Sequence, residues 1–150
     1  VNHDLLREMI RRHEGLSLKP YRCPAGKQTI GYGWNMDAHK LPGDVASCLN
    51  YNGAITKTQA ERLLNISIDM AERQTRDIFT AFGCFTENRQ AALVDFVFNV
   101  GVGTALKFKK MLAAITAGDW GKAADEAYDS EWRKQVGDRA EEIIGMLRVG

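Results

Sequence analysis

Three cysteines in 150 residues, an odd count with no CxxC spacing, argue against a disulfide framework or a zinc knuckle and make a reducing compartment the default. Proline is as scarce, at 3, and no low-complexity tract interrupts the chain, which argues against disorder and collagen-like repeats. No run approaches the roughly 18 consecutive apolar residues of a membrane span. Neither sign of charge dominates. A net charge of +1 speaks against strong non-specific binding to nucleic acid. Residues 1–60 hold 8 basic and 5 acidic side chains, residues 61–150 hold 12 and 14, so the parts carry +3 and −2. That mild asymmetry suits an anionic polymer without requiring one. The stretch from Val1 to His13 is charged and lacks the apolar core of a signal peptide, so export by the usual route is not expected; an opening Val in place of Met leaves room for a removed leader.

What is present is one domain's worth of globular chain, 45% hydrophobic and 26% charged, long enough to bury about 70% of its unfolded surface. Its texture changes near residue 55. Before that point come one helical pattern and a Gly-, Pro- and aromatic-rich stretch. The spacing predicts a helix from about His3 to Glu14, with Asn2 as N-cap, Leu5, Leu6, Met9 and Ile10 on one face, and Gly15 as stop. From Leu16 to Trp34 the pattern is that of a β-hairpin or small three-stranded sheet, turning at Pro24–Ala25–Gly26, with Thr29 to Trp34 as one strand. Asn35 to Ala54 is expected to be loop with a short helical piece near Val45–Leu49.

After residue 55, helical patterns follow one another. Thr56 with Gln59 forms a capping-box signature for a helix of about 23 residues, long enough to connect two lobes. Thr86 caps a helix whose stretch from Ala91 to Val100 is apolar on nearly every side and therefore expected to be buried all round. Phe108 to Ala117, Trp120 to Tyr128 and Arg139 to Leu147 complete the set. Phe96, Phe98, Trp120, Tyr128 and Trp132 are the expected aromatic core. The fold class is α+β.

Among residues able to carry chemistry, Glu14 ends a helix. There the negative end of the dipole disfavours an ionised acid, the condition a general acid needs. A solvated surface glutamate is the plain alternative. Cys23 lies in a turn flanked by Lys19, Arg22 and Lys27, whose charges favour a thiolate, although taken alone its position before a proline in a loop reads as an inert half-buried thiol. Cys48 and Cys84 read as core or loop packing. Thr29 heads a Gly-rich strand whose spacing is neither GxGxxG nor a P-loop. Lys107, Lys109 and Lys110 make a short basic face of the kind usually only solvated. Arg139 opens the last helix at the end where a cation is misplaced, so it needs a buried carboxylate, with Glu14 a candidate.

Together these residues are more specific. Eight residues separate Glu14 from Cys23 and five separate Cys23 from Thr29, within Glu14–Gly15–Leu16–Ser17–Leu18–Lys19–Pro20–Tyr21–Arg22–Cys23 followed by Gly26 and Thr29–Ile30–Gly31–Tyr32–Gly33. This resembles the phage-type lysozymes, glycoside hydrolase family 24, whose signature places Glu, Asp or sometimes Cys, and Thr at those spacings. The likeness continues in Ile55–Thr56–Lys57, Ala60–Glu61, Arg89, Ala92–Leu93, Val97–Phe98–Asn99, Gly101, Trp120, Ser130–Glu131–Trp132, Gln135 and Asp138–Arg139–Ala140, so it covers essentially the whole chain.

The resemblance implies a lysozyme-like α+β fold in a single catalytic domain, residues 1–150, with lobes of about 12–58 and 1–11 plus 59–150 and a cleft between them. It implies an endolysin, a muramidase that cuts the β-1,4 bond between N-acetylmuramic acid and N-acetylglucosamine in peptidoglycan, with no metal or organic cofactor. By position, Glu14 is the general acid, Thr29 helps hold the attacking water, and Cys23 stands where most members have a second carboxylate. Phe98, Asn35, Met111 and Glu126 fall on substrate-binding positions, and Arg139 on an arginine that pairs with the catalytic glutamate. The implied setting is a monomer made in the bacterial host cytoplasm. It acts on the periplasmic wall after a separate pore-forming protein admits it, without nucleic acid and without stable membrane insertion.

Cys23 is the departure. A thiolate there would support water attack with inversion; a covalent thioglycosyl intermediate with retention is the competing idea, and a thiol also permits oxidative silencing. Two rival functions remain open. A binding module that kept the fold and lost the chemistry predicts polymer binding without new reducing ends. A cysteine amidase or peptidase predicts an indispensable histidine and a dispensable Glu14.

Overall fold

The first helix, α1 (His3–Glu14), starts where Asn2 lets it: the Asn2 side-chain oxygen accepts the Leu5 N–H at 3.0 Å, the expected cap. Its end is set by Gly15 at φ 69°, whose N–H reaches back to the Arg11 carbonyl. The computed structural model describes all residues, 1–150. They divide into two compact units, one of Arg7–Asp69 and one of Val1–Leu6 with Met70–Gly150. The divisions fall inside α1 and inside the long helix α3 (Lys57–Ile78).

In the Arg7–Asp69 unit, β1 (Ser17–Arg22), β2 (Gln28–Gly31) and β3 (Trp34–Asn35) form an antiparallel sheet in that order. The register pairs Tyr21 with Thr29 and Ser17 with Gly31, so β1 carries an irregularity between Ser17 and Tyr21, where Pro20 has no N–H to give the ladder. The turn at Pro24–Ala25–Gly26 closes through Gly26 N–H to the Cys23 carbonyl at 2.8 Å.

The expectation of one strand from Thr29 to Trp34 is corrected. The run folds back, pairing Ile30 with Trp34 across Gly31, Tyr32 and Gly33, and both glycines take positive φ (66° and 76°) that an ordinary side chain resists. The short helical piece also proves to be a full helix, α2 (Gly43–Asn52), entered after Pro42 and closed by Gly53 at φ 72°. Met9, Ile10, Ile30, Tyr32, Trp34, Val45, Ile55, Ala60, Leu63, Leu64 and Ile68 are the buried apolar residues around which this unit forms. The expected capping box opens α3 reciprocally: Gln59 N–H to Thr56 Oγ1 at 3.1 Å and Thr56 N–H to Gln59 Oε1 at 2.9 Å. Arg11 grips Glu61 through Nε and Nη2 at 2.9 and 2.6 Å, and the Tyr32 hydroxyl donates to the same carboxylate at 3.0 Å.

In the other unit, α4 (Glu87–Ala105) begins at Thr86, whose Oγ1 accepts the Arg89 N–H, and every residue from Gln90 to Val97 is buried, as its apolar wrap predicts. Gly101, at φ 78° and ψ 162°, interrupts it. The helices α5 (Lys109–Thr116), α6 (Trp120–Tyr128) and α8 (Asp138–Val149) follow, with α8 packed on α4 and α6. A six-residue helix the sequence reading did not assign, α7 (Glu131–Val136), starts at Ser130, whose hydroxyl accepts the Arg133 N–H. The aromatic core is smaller than expected. Phe96 and Trp132 are buried and meet edge-on at 5.0 Å, but Tyr128 is exposed, its ring covered by Arg133 at 3.7 Å. Cys84 is exposed too, not packed. No single helix is long and apolar enough to cross a membrane.

Candidate active site

Glu14 is the last residue of α1, and its carboxylate lies against the turn between β2 and β3. A Cβ placed on Gly33 would stand 2.7 Å from Glu14 Oε2 and 2.8 Å from its carboxyl carbon. Position 33 therefore needs glycine twice over, for its positive φ and for the room the acid occupies.

Cys23 and Thr29 meet at the mouth of the first hairpin. Backbone pairing of Cys23 N–H with the Lys27 carbonyl, 3.0 Å, closes the turn and brings the amides of that turn round the sulfur. The Cys23 thiol is held below its ordinary range, first by the Lys27 backbone N–H. Partial burial opposes this, while the Ala25 amide, the Thr29 hydroxyl and the residue's own N–H add to it. The expected cause is thus corrected. Amide and hydroxyl donors favour the thiolate, whereas the Arg22 guanidinium is spent on the Gly26 carbonyl at 3.0 Å. Thr29 is buried, and its Oγ1 also lies 2.9 Å from the Lys27 carbonyl, so its single proton serves either that oxygen or the sulfur.

Tyr21, opposite Thr29 in the ladder, ties the group together. Burial pushes its phenol up, and the negative charges of Glu14 and Cys23 push it further in the same direction. Both groups therefore act on one ring. Asn35, on β3, commits its side-chain oxygen to the following turn, accepting from Asp37 N–H at 3.0 Å and Ala38 N–H at 3.1 Å.

Phe98, Met111, Glu126 and Arg139 belong to the other unit. Arg139 is buried and its Nε donates to Asp95 Oδ1 at 3.0 Å, with Asp95 wholly buried on α4. The buried carboxylate that its place on α8 demands is present there, on a residue the sequence reading passed over. The signal was available: an acid in the middle of an otherwise apolar helix has to be paired. The Phe98 ring lies 6.0 Å from the Arg139 guanidinium. Met111 is buried, and with half-buried Glu126 it lines a hollow of about 300 Å³ shared with Lys107, Phe108, Lys109 and Lys110. A neighbouring hollow of about 420 Å³ is lined by Asn99, Thr104, Phe108, Glu131, Trp132 and Gln135, among others; Asn99 Oδ1 there accepts the Trp132 indole N–H at 2.7 Å. No group of three or more His, Cys, Asp or Glu side chains converges to hold a metal ion.

Comparison with known proteins decides the family. Residues 11–148 match the family model described as phage lysozyme. The chain belongs to the phage lysozyme family. It is 34% identical over 160 residues to the pre-baseplate central spike protein of Enterobacteria phage T4, covering 95% of this chain but 27% of that protein. Against a probable T4-type lysozyme 2 of Dictyostelium discoideum it is 27% identical over 161 residues, covering 97% of this chain and 94% of the relative. An endolysin of Acyrthosiphon pisum secondary endosymbiont phage 1 is 32% identical over 142 residues, covering 93% and 86%. As a phage-lysozyme family member, the chain carries the glycoside-hydrolase character of that family in an α+β fold.

Proposed function

We propose that this chain is an endolysin-type muramidase, one catalytic domain that hydrolyses the β-1,4 bond between N-acetylmuramic acid and N-acetylglucosamine in peptidoglycan. The observation that carries the reading is geometric: the Glu14 carboxylate packs against Gly33 in the turn between β2 and β3, and Cys23 closes the hairpin whose β2 carries Thr29. Tyr21 feels both Glu14 and Cys23, and Thr29 stands opposite it in the ladder.

In this reading protonated Glu14 gives its proton to the leaving glycosidic oxygen as the C–O bond breaks. Water, held by Thr29, attacks the anomeric carbon from the other face and passes its proton to the Cys23 thiolate. Glu14 ends as carboxylate, Cys23 as thiol, and both reset through solvent. The product anomer is inverted. The amides around Cys23 make this plausible for sulfur, because they raise the fraction of thiolate at neutral pH. Phe98, Asn35, Met111 and Glu126 are read as substrate contacts, and Arg139 as a supporting cation. We further infer a monomer that accumulates in the host cytoplasm and reaches the periplasmic wall through a separate pore-forming protein.

A second reading is favoured by one observation, the thiol at the place of a carboxylate: a wall-binding module without chemistry. Purified peptidoglycan incubated with the protein under reductant separates the two. New reducing ends support the muramidase; binding without new ends supports the module, and new free amines would support an amidase.

A further inference from the structure

Arg11 lies three residues before Glu14 on α1, so the two side chains share a helix face. Tyr32 immediately precedes Gly33, the glycine against which the Glu14 carboxylate packs. One carboxylate, that of Glu61 on α3, holds both of these neighbours. Arg11 donates to it through Nε at 2.9 Å and Nη2 at 2.6 Å, and the Tyr32 hydroxyl donates at 3.0 Å. All five residues belong to the Arg7–Asp69 unit. The same stretch of α3 backs the turn directly: a Cβ on Gly31 would meet the Ala60 Cβ at 3.6 Å and Leu63 Cδ1 at 3.8 Å.

The link is stiff at both ends. A guanidinium that reaches a carboxylate through two nitrogens fixes direction as well as distance. Tyr32 is 6% exposed, so its ring is held by packing. Burial, and then the Glu61 carboxylate, raise its phenol, which keeps the hydroxyl a donor at neutral pH. The seat itself has little tolerance. Glu14 Oε2 lies 2.7 Å from the point a Cβ on Gly33 would occupy, so a small relative shift of α1 and the turn displaces the carboxyl. Displacements of about 1 Å in a reacting group cost on the order of a hundredfold in rate.

We propose that Glu61 is a positioning residue for the general acid: by holding Arg11 of α1 and Tyr32 of the β2–β3 turn at once, it keeps the Glu14 carboxyl seated on Gly33. The acid's task is that of the muramidase reading above, on which this rests; Glu61 acts through Glu14 and not on the sugar.

The test uses wild type, Tyr32→Phe, which removes only the hydroxyl, and Glu61→Gln, at a temperature where melting curves show all three folded. Reducing-end release from purified peptidoglycan gives kcat and KM separately. Three-bond NMR couplings about the Cα–Cβ and Cβ–Cγ bonds of Glu14 show whether one rotamer or several are populated. The expected result is a kcat lower by roughly threefold to tenfold in Tyr32→Phe and by roughly tenfold to a hundredfold in Glu61→Gln, with KM within about twofold of wild type. The Glu14 couplings should move from single-rotamer values toward averaged ones in the same order. An unchanged kcat in both variants would overturn the proposal, as would a raised KM at constant kcat. So would a loss of kcat with the Glu14 couplings still at their wild-type values. If wild type releases no reducing ends, the muramidase reading falls, and the couplings alone decide the clamp: averaging in the variants upholds it, unchanged values remove it.

Discussion

Cys23 sets the chemistry that is particular to this chain. A thiol ordinarily titrates near 9.0, and here backbone amides and the Thr29 hydroxyl pull it lower. The sign follows from linkage. The folded chain binds the thiol proton less tightly than the unfolded chain, so this group adds stability above the ordinary thiol range, and that increment is lost as pH falls through the lowered value. For activity, the limb assigned to the thiolate rises with pH and lies below the ordinary thiol range. Thr29→Val removes one of the donors and should move the rate of Cys23 alkylation by iodoacetamide to higher pH. Alkylated enzyme should release no reducing ends, and Cys23→Asp should retain activity. A fully active alkylated enzyme would remove Cys23 from the mechanism.

At the scale of elements, the chain is legible where a local cap or period acts alone. The Asn2 cap, the Thr56–Gln59 box and the buried wrap of α4 are short-range patterns, and they appear as read. Thr56→Ala should therefore cost about 1 kcal/mol, read as a lowered urea midpoint with an unchanged slope. The misses share a cause, which is that the turn of the backbone and the placement of particular side chains decide them, and neither is printed in period or composition. Thr29 to Trp34 has the composition of a strand, but the Glu14 carboxylate against Gly33 belongs to a helix far away in sequence. Tyr128 has the right period for a core residue, yet a surface arginine covers it. Likewise the thiolate donors of Cys23 are turn amides and the Thr29 hydroxyl, which a sequence does not print, whereas the neighbouring Arg22 it does print reaches the Gly26 carbonyl. Asp95 joins α4 to α8 through Arg139 with both side chains buried. Asp95→Ala leaves that guanidinium short of its partner and should destabilise by roughly 3–5 kcal/mol. At this chain length the melting temperature should drop on the order of 10 °C. A shift of a degree or two would mean the pair contributes little.

At the scale of the whole molecule, acid is the informative variable. Glu61 is held below the carboxylate range chiefly by hydrogen bonds from Arg11, despite some burial. Burial raises Glu72, but His3 and Arg76 outweigh it, and Asp44 beside Arg62 is lowered to about 2 from 3.8. Each depressed carboxyl contributes stability that is complete above its ordinary value and is lost as pH falls through its folded value. The melting temperature should thus stay nearly level from pH 7 to about 5 and decline below about 4. The Asp44–Arg62 share should be small because both side chains face solvent. A steep decline between pH 7 and 5 would require a different titrating group.

The central claim is that a phage-lysozyme fold with a cysteine at its second position still cleaves glycosidic bonds through Glu14. The direct measurement is reducing-end release from purified peptidoglycan by wild type and by Glu14→Gln, under reductant, with melting curves confirming that both are folded. The account predicts release by wild type and a fall of at least about a hundredfold in a variant that remains folded. Equal release by the two proteins would contradict it.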